Sequence, residues 1–319
     1  MTTLIKIKQQ LTQTVVGRFT IKVYHYMVAK PLAKVYSYKY YLIKNKIKHI
    51  RFYSDKETFN MIKLEKKSLC RFGDGEISWI YRDSKGYFSQ ENSKELSDRL
   101  RNIILSDNKN ILVGIPNFFG SLDQYSKKRR QSRNTHLAKY YKRWMELLDS
   151  KRVYADALIT RVYHGLKDNR SRYMFDNWKS VWNDKNVIVI EGSQTRFGVG
   201  NDLLANVRSV RRIIAPAENA FQRYDEILSI SKEFISEDTM FIISLGPTAT
   251  VLAYDIGIYG SQAIDIGHLD IEYEWYLSGA TKKKPVIGKY VNEAGGPPNF
   301  EMPETLLEVY KSEIIKYVV

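Results

Sequence analysis

Short apolar runs alternate with longer amphipathic runs through most of the chain after residue 60. The short runs are rich in Ile, Val and Leu, which is typical of buried strands. They predict strands at residues 68–72, 110–114, 155–160, 187–191, 211–215, 240–245 and 262–266. The amphipathic runs predict helices at residues 94–106, 134–148, 172–182, 201–206, 221–234 and 248–258. This alternation predicts an α/β fold, with a Rossmann-like, mostly parallel sheet covered by helices on both faces.

The first 55 residues follow a different pattern. Apolar residues spaced three or four positions apart predict an amphipathic helix, and they are Leu4, Ile7, Leu11, Val15, Phe19, Val23 and Tyr26. Pro31 is expected to end or kink this helix, because proline cannot donate a backbone hydrogen bond. A cluster of Tyr and Lys follows at residues 36–48. We therefore predict an N-terminal extension at residues 1–55 and a globular domain at residues 56–319.

The positive charge lies mainly in this extension. The 319-residue chain has a formal net charge of +15, and residues 1–54 carry eleven Lys or Arg and no Asp or Glu. That leaves +4 for the remaining residues. The single cysteine, Cys70, excludes an internal disulfide and suits a reducing compartment. No apolar run approaches the roughly 20 residues that span a bilayer, so we expect the chain to stay in the cytosol.

A basic amphipathic helix with aromatic residues is typical of binding to a membrane surface. Each Lys or Arg near an anionic leaflet adds about 1 kcal/mol to that binding. Two alternatives remain for the extension: a helix packed on the domain or between copies of the chain, and a nucleic-acid-binding segment. The small net charge of the rest of the chain argues against nucleic acid.

Candidate ligand-binding residues follow the predicted strands, where parallel sheets bind their ligands. The first predicted strand runs into the sequence Arg-Phe-Gly-Asp-Gly-Glu, in which Asp74 and Glu76 are separated by one glycine. Carboxylates are the hard ligands that Mn²⁺ or Mg²⁺ prefers, and such ions keep positions open for substrate phosphates. The alternative is a solvated turn rich in Asp and Gly.

The loop after the fourth predicted strand combines glycines with polar residues. Gly198 and Gly200 would let the backbone approach an anion, and Arg196 could pair with a diphosphate. The third glycine of a dinucleotide-binding loop is absent, as is the Gly-Lys-Ser/Thr ending of a Walker loop. The alternative is a glycine-bearing loop capped by Asn201 or Asp202.

The loop after the last predicted strand holds His268, Asp270, Glu272 and Glu274 among apolar and aromatic residues. An imidazole or carboxylate at this position could act as general base on a sugar hydroxyl. The alternative is a helix start, where acidic side chains are favoured by the helix dipole.

Together, the segments 71–76, 198–203 and 265–275 resemble the GT-D-fold glycosyltransferases, a bacterial family long known as a domain of unknown function. The resemblance extends from about residue 60 to about residue 295. It implies sugar transfer, typically of glucose, from a UDP-sugar to a glycan acceptor. It also implies that Asp74 and Glu76 form the family's Asp-x-Glu motif and bind Mn²⁺ or Mg²⁺ at the diphosphate.

We therefore hypothesise a UDP-sugar-dependent hexosyltransferase that assembles surface polysaccharide or glycoprotein at the cytoplasmic membrane face, on an acceptor that could be lipid-linked. Its domain would be residues 56–319. From loop position alone, we predict substrate contacts by Arg71, Gly73, Arg196, Gly198, Gly200, Asn201 and Asp202. We predict catalytic roles for His268, Asp270 and Glu272. The alternatives are a nucleotide-binding component without turnover and a nucleic-acid-binding protein led by the basic N-terminus.

Overall fold

The structure, a computed structural model, describes residues 19, 23, 25–73, 75–83, 90–120, 123, 125–165, 170–291 and 301–318. Across these residues one parallel sheet is formed by strands β1 (Arg51–Phe52), β2 (Ser68–Arg71), β3 (Ile111–Ile115), β4 (Val153–Asp156), β5 (Asn186–Gly192), β6 (Ser209–Ala215), β7 (Thr239–Ser244), β8 (Gln262–Asp265) and β9 (Ile314–Tyr317). The helices are α1 (Lys30–Ile43), α2 (Asp55–Lys63), α3 (Glu76–Ile80), α4 (Lys94–Leu105), α5 (Lys127–Leu147), α6 (Ser171–Trp182), α7 (Tyr224–Lys232), α8 (Pro247–Ile258), α9 (Leu269–Leu277) and α10 (Glu304–Ser312).

The strand order places a topological switch point near the middle of the sheet. The order is β1-β4-β3-β2-β8-β7-β5-β6-β9. From β2 the chain continues outward to β3, whereas β8, the other neighbour of β2, belongs to the opposite half. Ligands of open parallel sheets bind beyond the carboxyl ends of the strands at such a point. The segments that follow β2 and β8 are two of those singled out from the sequence.

Both faces of the sheet are buried, which explains the continuous apolar runs of its strands. In β5, Ile188 and Ile190 pack into one core, and Val187 and Val189 pack into the core on the other face. The α/β prediction is therefore confirmed, and all seven predicted strands correspond to β2–β8.

Three of the predicted element boundaries were wrong. Residues 155–160 are not one strand, because β4 ends at Asp156. The Asp156 carboxylate accepts a hydrogen bond from the Leu158 amide and so caps the 3₁₀ turn Ala157–Thr160. Residues 201–206 form turns instead of a helix. Helix α5 begins at Lys127 instead of residue 134, since Ser126 caps its first turn.

The described part of the extension packs against the domain. Most of the predicted amphipathic helix lies outside the described residues, but Pro31 does not end the helical segment. A π-helical turn, His25–Ala29, leads directly into α1, and Pro31 lies at this junction, so the helical segment changes type near Pro31 instead of ending there. Ile50 is buried in the core, and residues 51–52 belong to the sheet because β1 pairs with β4. Among the described residues, no helix is long and apolar enough to cross a membrane.

Candidate active site

A cavity of about 1030 Å³ opens over the carboxyl ends of the central strands. Its wall includes Arg71 of β2, Gly192 of β5, Ser244 of β7 and Asp265 of β8. It is large enough for a nucleotide sugar, whose volume lies in the usual range of small-molecule pockets.

Arg71 joins three strands at the floor of this cavity. Its guanidinium donates to the carbonyl and carboxylate of Asp265, at 2.7 and 2.9 Å, and to the Thr160 hydroxyl at 2.7 Å. A Cβ at Gly267 would lie 2.0 Å from the Arg71 Nη2 atom, so glycine is required where β8 turns away. Arg71 therefore holds the strand ends together, and its predicted contact with substrate stays a prediction.

Glu76 begins α3 and also lies in the cavity wall. Its Oε2 atom accepts a 2.7 Å hydrogen bond from the Gly73 amide, and a Cβ at Gly73 would lie only 2.8 Å from that oxygen. Only glycine lets the carboxylate approach the backbone this closely. Asp74, the other predicted metal ligand, lies outside the described residues.

Asp270 lines the cavity and is buried in an ionic network. Lys289 donates to both of its carboxylate oxygens, at 2.9 and 2.7 Å, and to Glu274 at 2.9 Å. The Gly198 amide and the Asn201 side chain donate to the same Asp270 carboxylate at 3.0 and 2.8 Å. A buried carboxylate that accepts four hydrogen bonds from three donor groups suits a structural anchor better than a general base.

Glu272 is buried as well, and its Oε2 atom accepts from the amides of Tyr163 and His164, each at 2.9 Å. Its other oxygen lies 3.7 Å from Arg161. His268 is half-buried at the start of α9, in the cavity wall. Of the three predicted catalytic residues, His268 is therefore the one best placed to meet a substrate.

The glycine loop after β5 turns away from the cavity. Arg196, Gly198 and Gly200 all have positive φ angles, and Arg196 donates to the Gly288 carbonyl at 2.9 Å. Asp202 bonds to Lys179 and Tyr273 at 2.7 and 2.6 Å. Among the described residues, this loop lines the cavity instead with Gly192, Gln194, Thr195 and Phe197. The placement does not favour the predicted substrate contacts by Arg196, Gly198, Gly200, Asn201 and Asp202.

Several cations in the cavity wall escaped the sequence analysis, and they are Lys128, Arg129, Arg133, Arg161, Lys282 and Lys283. The first three come from α5, whose first turn reads Lys-Lys-Arg-Arg. Cations at a helix N-terminus oppose the helix dipole and are unfavourable by themselves. This basic run would have indicated a functional site if the helix had been predicted to start at Lys127. Its position adds positive charge to the cavity wall.

Asp156 lies behind this basic wall at the end of β4. Its Oδ1 atom accepts from the amides of Leu158 and Asn117, at 2.9 and 3.2 Å. Burial nevertheless raises its pKa from the usual value near 3.8 to about 6. The protonated form is therefore favoured in the folded protein, and this contribution to stability is lost as pH rises through about 6.

We expect Asp156→Asn to flatten the dependence of stability on pH between pH 4 and about 7. Asparagine keeps the Oδ1 acceptor and cannot ionise, so the wild-type protein should lose up to about 3 kcal/mol relative to the variant over this range. Urea unfolding at a series of pH values measures the difference. An unchanged difference between the two proteins across the series would contradict the assignment to Asp156.

A model of the family described as "Glycosyltransferase GT-D fold" matches residues 69–294. The chain belongs to the GT-D-fold glycosyltransferase family. This match covers the strand ends and the cavity described above, and it confirms the resemblance found in the three loops.

Curated relatives and solved structures agree with the GT-D assignment. The chain is 34% identical over 250 residues to "Probable glycosyl transferase Gly" of Streptococcus gordonii, a match that covers 78% of this chain and 36% of that protein. It is 31% identical to "Glycosyltransferase GlyD" of Streptococcus pneumoniae serotype 4, over 81% of this chain and 31% of that protein. The chain thus spans about a third of the length of these curated relatives.

Two solved structures share the fold. One is described as the domain of unknown function 1792 with "a distinct glycosyltransferase fold". It is 32% identical to this chain with a TM-score of 0.81, and the match covers 88% of this chain and 100% of the solved chain. The other is described as a new glycosyltransferase from Streptococcus sanguinis, with 31% identity and a TM-score of 0.79, covering 85% of this chain and 100% of its own.

The described part of the GT-D site contains one carboxylate of the predicted metal pair, Glu76. No group of three or more His, Cys, Asp or Glu side chains in the described ranges is arranged to hold a metal. Glu76 presents a carboxylate in the cavity, and an ion held by one or two carboxylates takes its remaining ligands from water and substrate phosphates. The Asp74–Glu76 metal site stays a prediction that this donor chemistry supports.

Proposed function

We propose that this glycosyltransferase is metal-dependent and transfers a hexose from a UDP-sugar to a glycan acceptor, in the assembly of bacterial surface polysaccharide or glycoprotein. The observation that carries the proposal is the cluster of cations in the cavity over the strand ends. We also propose that it works at the cytoplasmic face of the membrane.

The charge balance of the cavity wall supports an anionic donor. Each of its buried acids has a cationic partner, because Asp265 pairs with Arg71, Asp270 with Lys289 and Glu272 with Arg161. Lys282 and Lys283 are exposed at the mouth and Arg129 is half-buried inside it. A positive cleft with restricted access to water attracts a diphosphate and holds it by charge-assisted hydrogen bonds.

In this proposal, each part of the wall has one task. Asp74 and Glu76 would hold Mn²⁺ or Mg²⁺, and the ion would neutralise the charge that develops on the departing diphosphate. Arg129 and the lysines at the mouth would stabilise the same charge electrostatically. His268 would orient the acceptor hydroxyl and take its proton.

A panel of nucleotide sugars tests the proposal. The full chain is incubated with each sugar, with and without Mn²⁺, while nucleoside diphosphate release and the melting temperature are measured. We expect a UDP-hexose to give Mn²⁺-dependent release, which should increase with a glycan acceptor. A melting shift with UDP but no release from any sugar would instead favour the component without turnover.

Lys128→Gln should weaken donor binding without weakening the fold. Lys128 is an exposed cation of the cavity wall in the first turn of α5. We expect its loss to raise the KM for the donor several-fold, consistent with about 1 kcal/mol of binding, and to leave kcat unchanged. The stability should rise by up to about 1 kcal/mol, because a cation is removed from the positive end of a helix.

Lys127→Gln is the matched control. Lys127 is the preceding residue, is also exposed, and is not among the residues lining the cavity. It should show the same gain in stability, measured by urea unfolding, with an unchanged KM. If both variants change KM equally, Lys128 has no specific role at the donor.

A further inference from the structure

Helix α1 has one face against the domain and another in solvent. Ala33, Tyr36, Tyr40 and Ile43 are half-buried on the side where α1 packs against α5. The opposite side, which we call the outer face, consists of Leu32, Val35, Tyr38 and Leu42, whose exposed fractions are 47, 48, 65 and 53%. Four large apolar or aromatic side chains on adjacent turns form a continuous exposed surface, which usually marks an interaction site.

Lysines border this outer face. Lys30, Lys34 and Lys39 are exposed on α1, and the sequence has no Asp or Glu before residue 55. Lys30 lies 3.9 Å from the centre of the Tyr26 ring and Lys44 lies 4.5 Å from that of Tyr41, so a lysine contacts an aromatic ring at each end of α1. An apolar strip with a basic border complements a bilayer surface containing anionic lipids.

The outer face also has a fixed relation to the cavity. On the inner side of α1, the Tyr40 hydroxyl accepts a 2.5 Å hydrogen bond from Arg133, whose guanidinium also lies 5.5 Å from the Tyr40 ring. Arg133 is buried in α5 and lines the cavity, and it donates to the Phe118 carbonyl. Helix α5 therefore separates the outer face from the cavity, with Arg133 connecting the two sides.

We propose that the outer face of α1 docks on an anionic lipid surface and so holds the cavity, on the far side of α5, close to acceptors in that surface. The docking itself is independent of the chemistry in the cavity. Its consequence for acceptor choice rests on the proposed function. Other occupants of the same face are a second copy of this chain or a nucleic acid, and the experiment below separates them.

The test measures co-sedimentation of the full chain with two kinds of vesicle, phosphatidylcholine alone and phosphatidylcholine with phosphatidylglycerol. We expect retention on the anionic vesicles that weakens as salt is added, because screening reduces the attraction. Val35→Asp combined with Leu42→Asp should weaken this binding at least about tenfold, because it places charge in the apolar strip. Lys34→Gln combined with Lys39→Gln should weaken it less and reduce its salt dependence.

Leu105→Asp combined with Ile258→Asp is the matched control, since both residues are about half exposed and lie outside α1. It should bind vesicles as the wild-type chain does. Equal retention of the α1 variant and the wild-type chain would overturn the proposal. So would a concentration-dependent dimer, or retention on RNA but not on vesicles, that the α1 variant alone loses.

Donor turnover in vesicle-free buffer distinguishes the proposed activity from the proposed lipid docking. The α1 variant should release nucleoside diphosphate at the wild-type rate in solution, because no substituted residue lines the cavity. A wild-type chain that binds anionic vesicles but turns over no nucleotide sugar would leave the docking surface standing and remove the proposed activity. The reverse outcome would remove the docking surface alone.

Discussion

Glu76→Gln is expected to reduce Mn²⁺-dependent turnover at least about a hundredfold, which corresponds to about 2.7 kcal/mol of transition-state stabilisation. The side chain keeps its length, and its remaining oxygen can still accept from the Gly73 amide, as Glu76 does at 2.7 Å. The loss should therefore come from the missing negative charge in the cavity. Steady-state kinetics over a range of Mn²⁺ concentrations measures it, together with the apparent metal affinity.

Glu95→Gln is the control for this substitution. Glu95 also lies in the first turn of a helix, α4, but it is exposed and does not line the cavity. The Glu95→Gln variant should therefore keep the wild-type activity. Asp74→Asn should behave like Glu76→Gln if the two carboxylates share one ion. Full activity in both Asp74→Asn and Glu76→Gln, with unchanged metal dependence, would remove the metal role from this motif.

Local sequence was sufficient to predict the central strands, because each is a short apolar run that is buried on both faces of the sheet. The edge strands β1 and β9 were missed for the opposite reason. β1 has only two residues, and β9 is half-buried or exposed along its whole length. Their pairing with β4 and β6 depends on contacts far away in the sequence. Periodicity carries no signal for such strands.

For the site too, local sequence predicted some features and could not predict others. Position after a strand singled out residues that the structure places in one cavity, and they are Arg71, Gly73, Glu76, His268, Asp270 and Glu272. It could not show that the glycine loop after β5 turns backward, since this follows from the positive φ angles of Arg196 and its neighbours. It also could not show that Asp270 has a buried cationic partner, because Lys289 lies beyond α9 and pairs through tertiary structure.

Lys289, the buried partner of Asp270, is the basis of a second prediction with a large expected effect on stability. Lys289→Met is expected to lower the free energy of unfolding by about 3–5 kcal/mol, the usual cost of leaving buried charge unpaired. Lys289 and Asp270 are each 3% exposed in their side chains, and Glu274 loses a 2.9 Å contact at the same time. Urea unfolding monitored by circular dichroism measures the loss. Lys284→Met, an exposed lysine of the same segment, should change stability by less than about 0.5 kcal/mol.

The double variant Lys289→Met with Asp270→Asn decides what Asp270 does. If Asp270 is an anchor, removing its charge should recover part of the stability lost with Lys289, as a coupled pair does in a double-mutant cycle. Asp270→Asn alone should then impair activity through the cavity wall, with no change in the pH profile of kcat. A general base at this position would instead shift or abolish the acidic limb of that profile in the single variant. The carboxylate is buried and accepts four hydrogen bonds from three donor groups, which favours the first outcome and leaves His268 as the group to test for proton transfer.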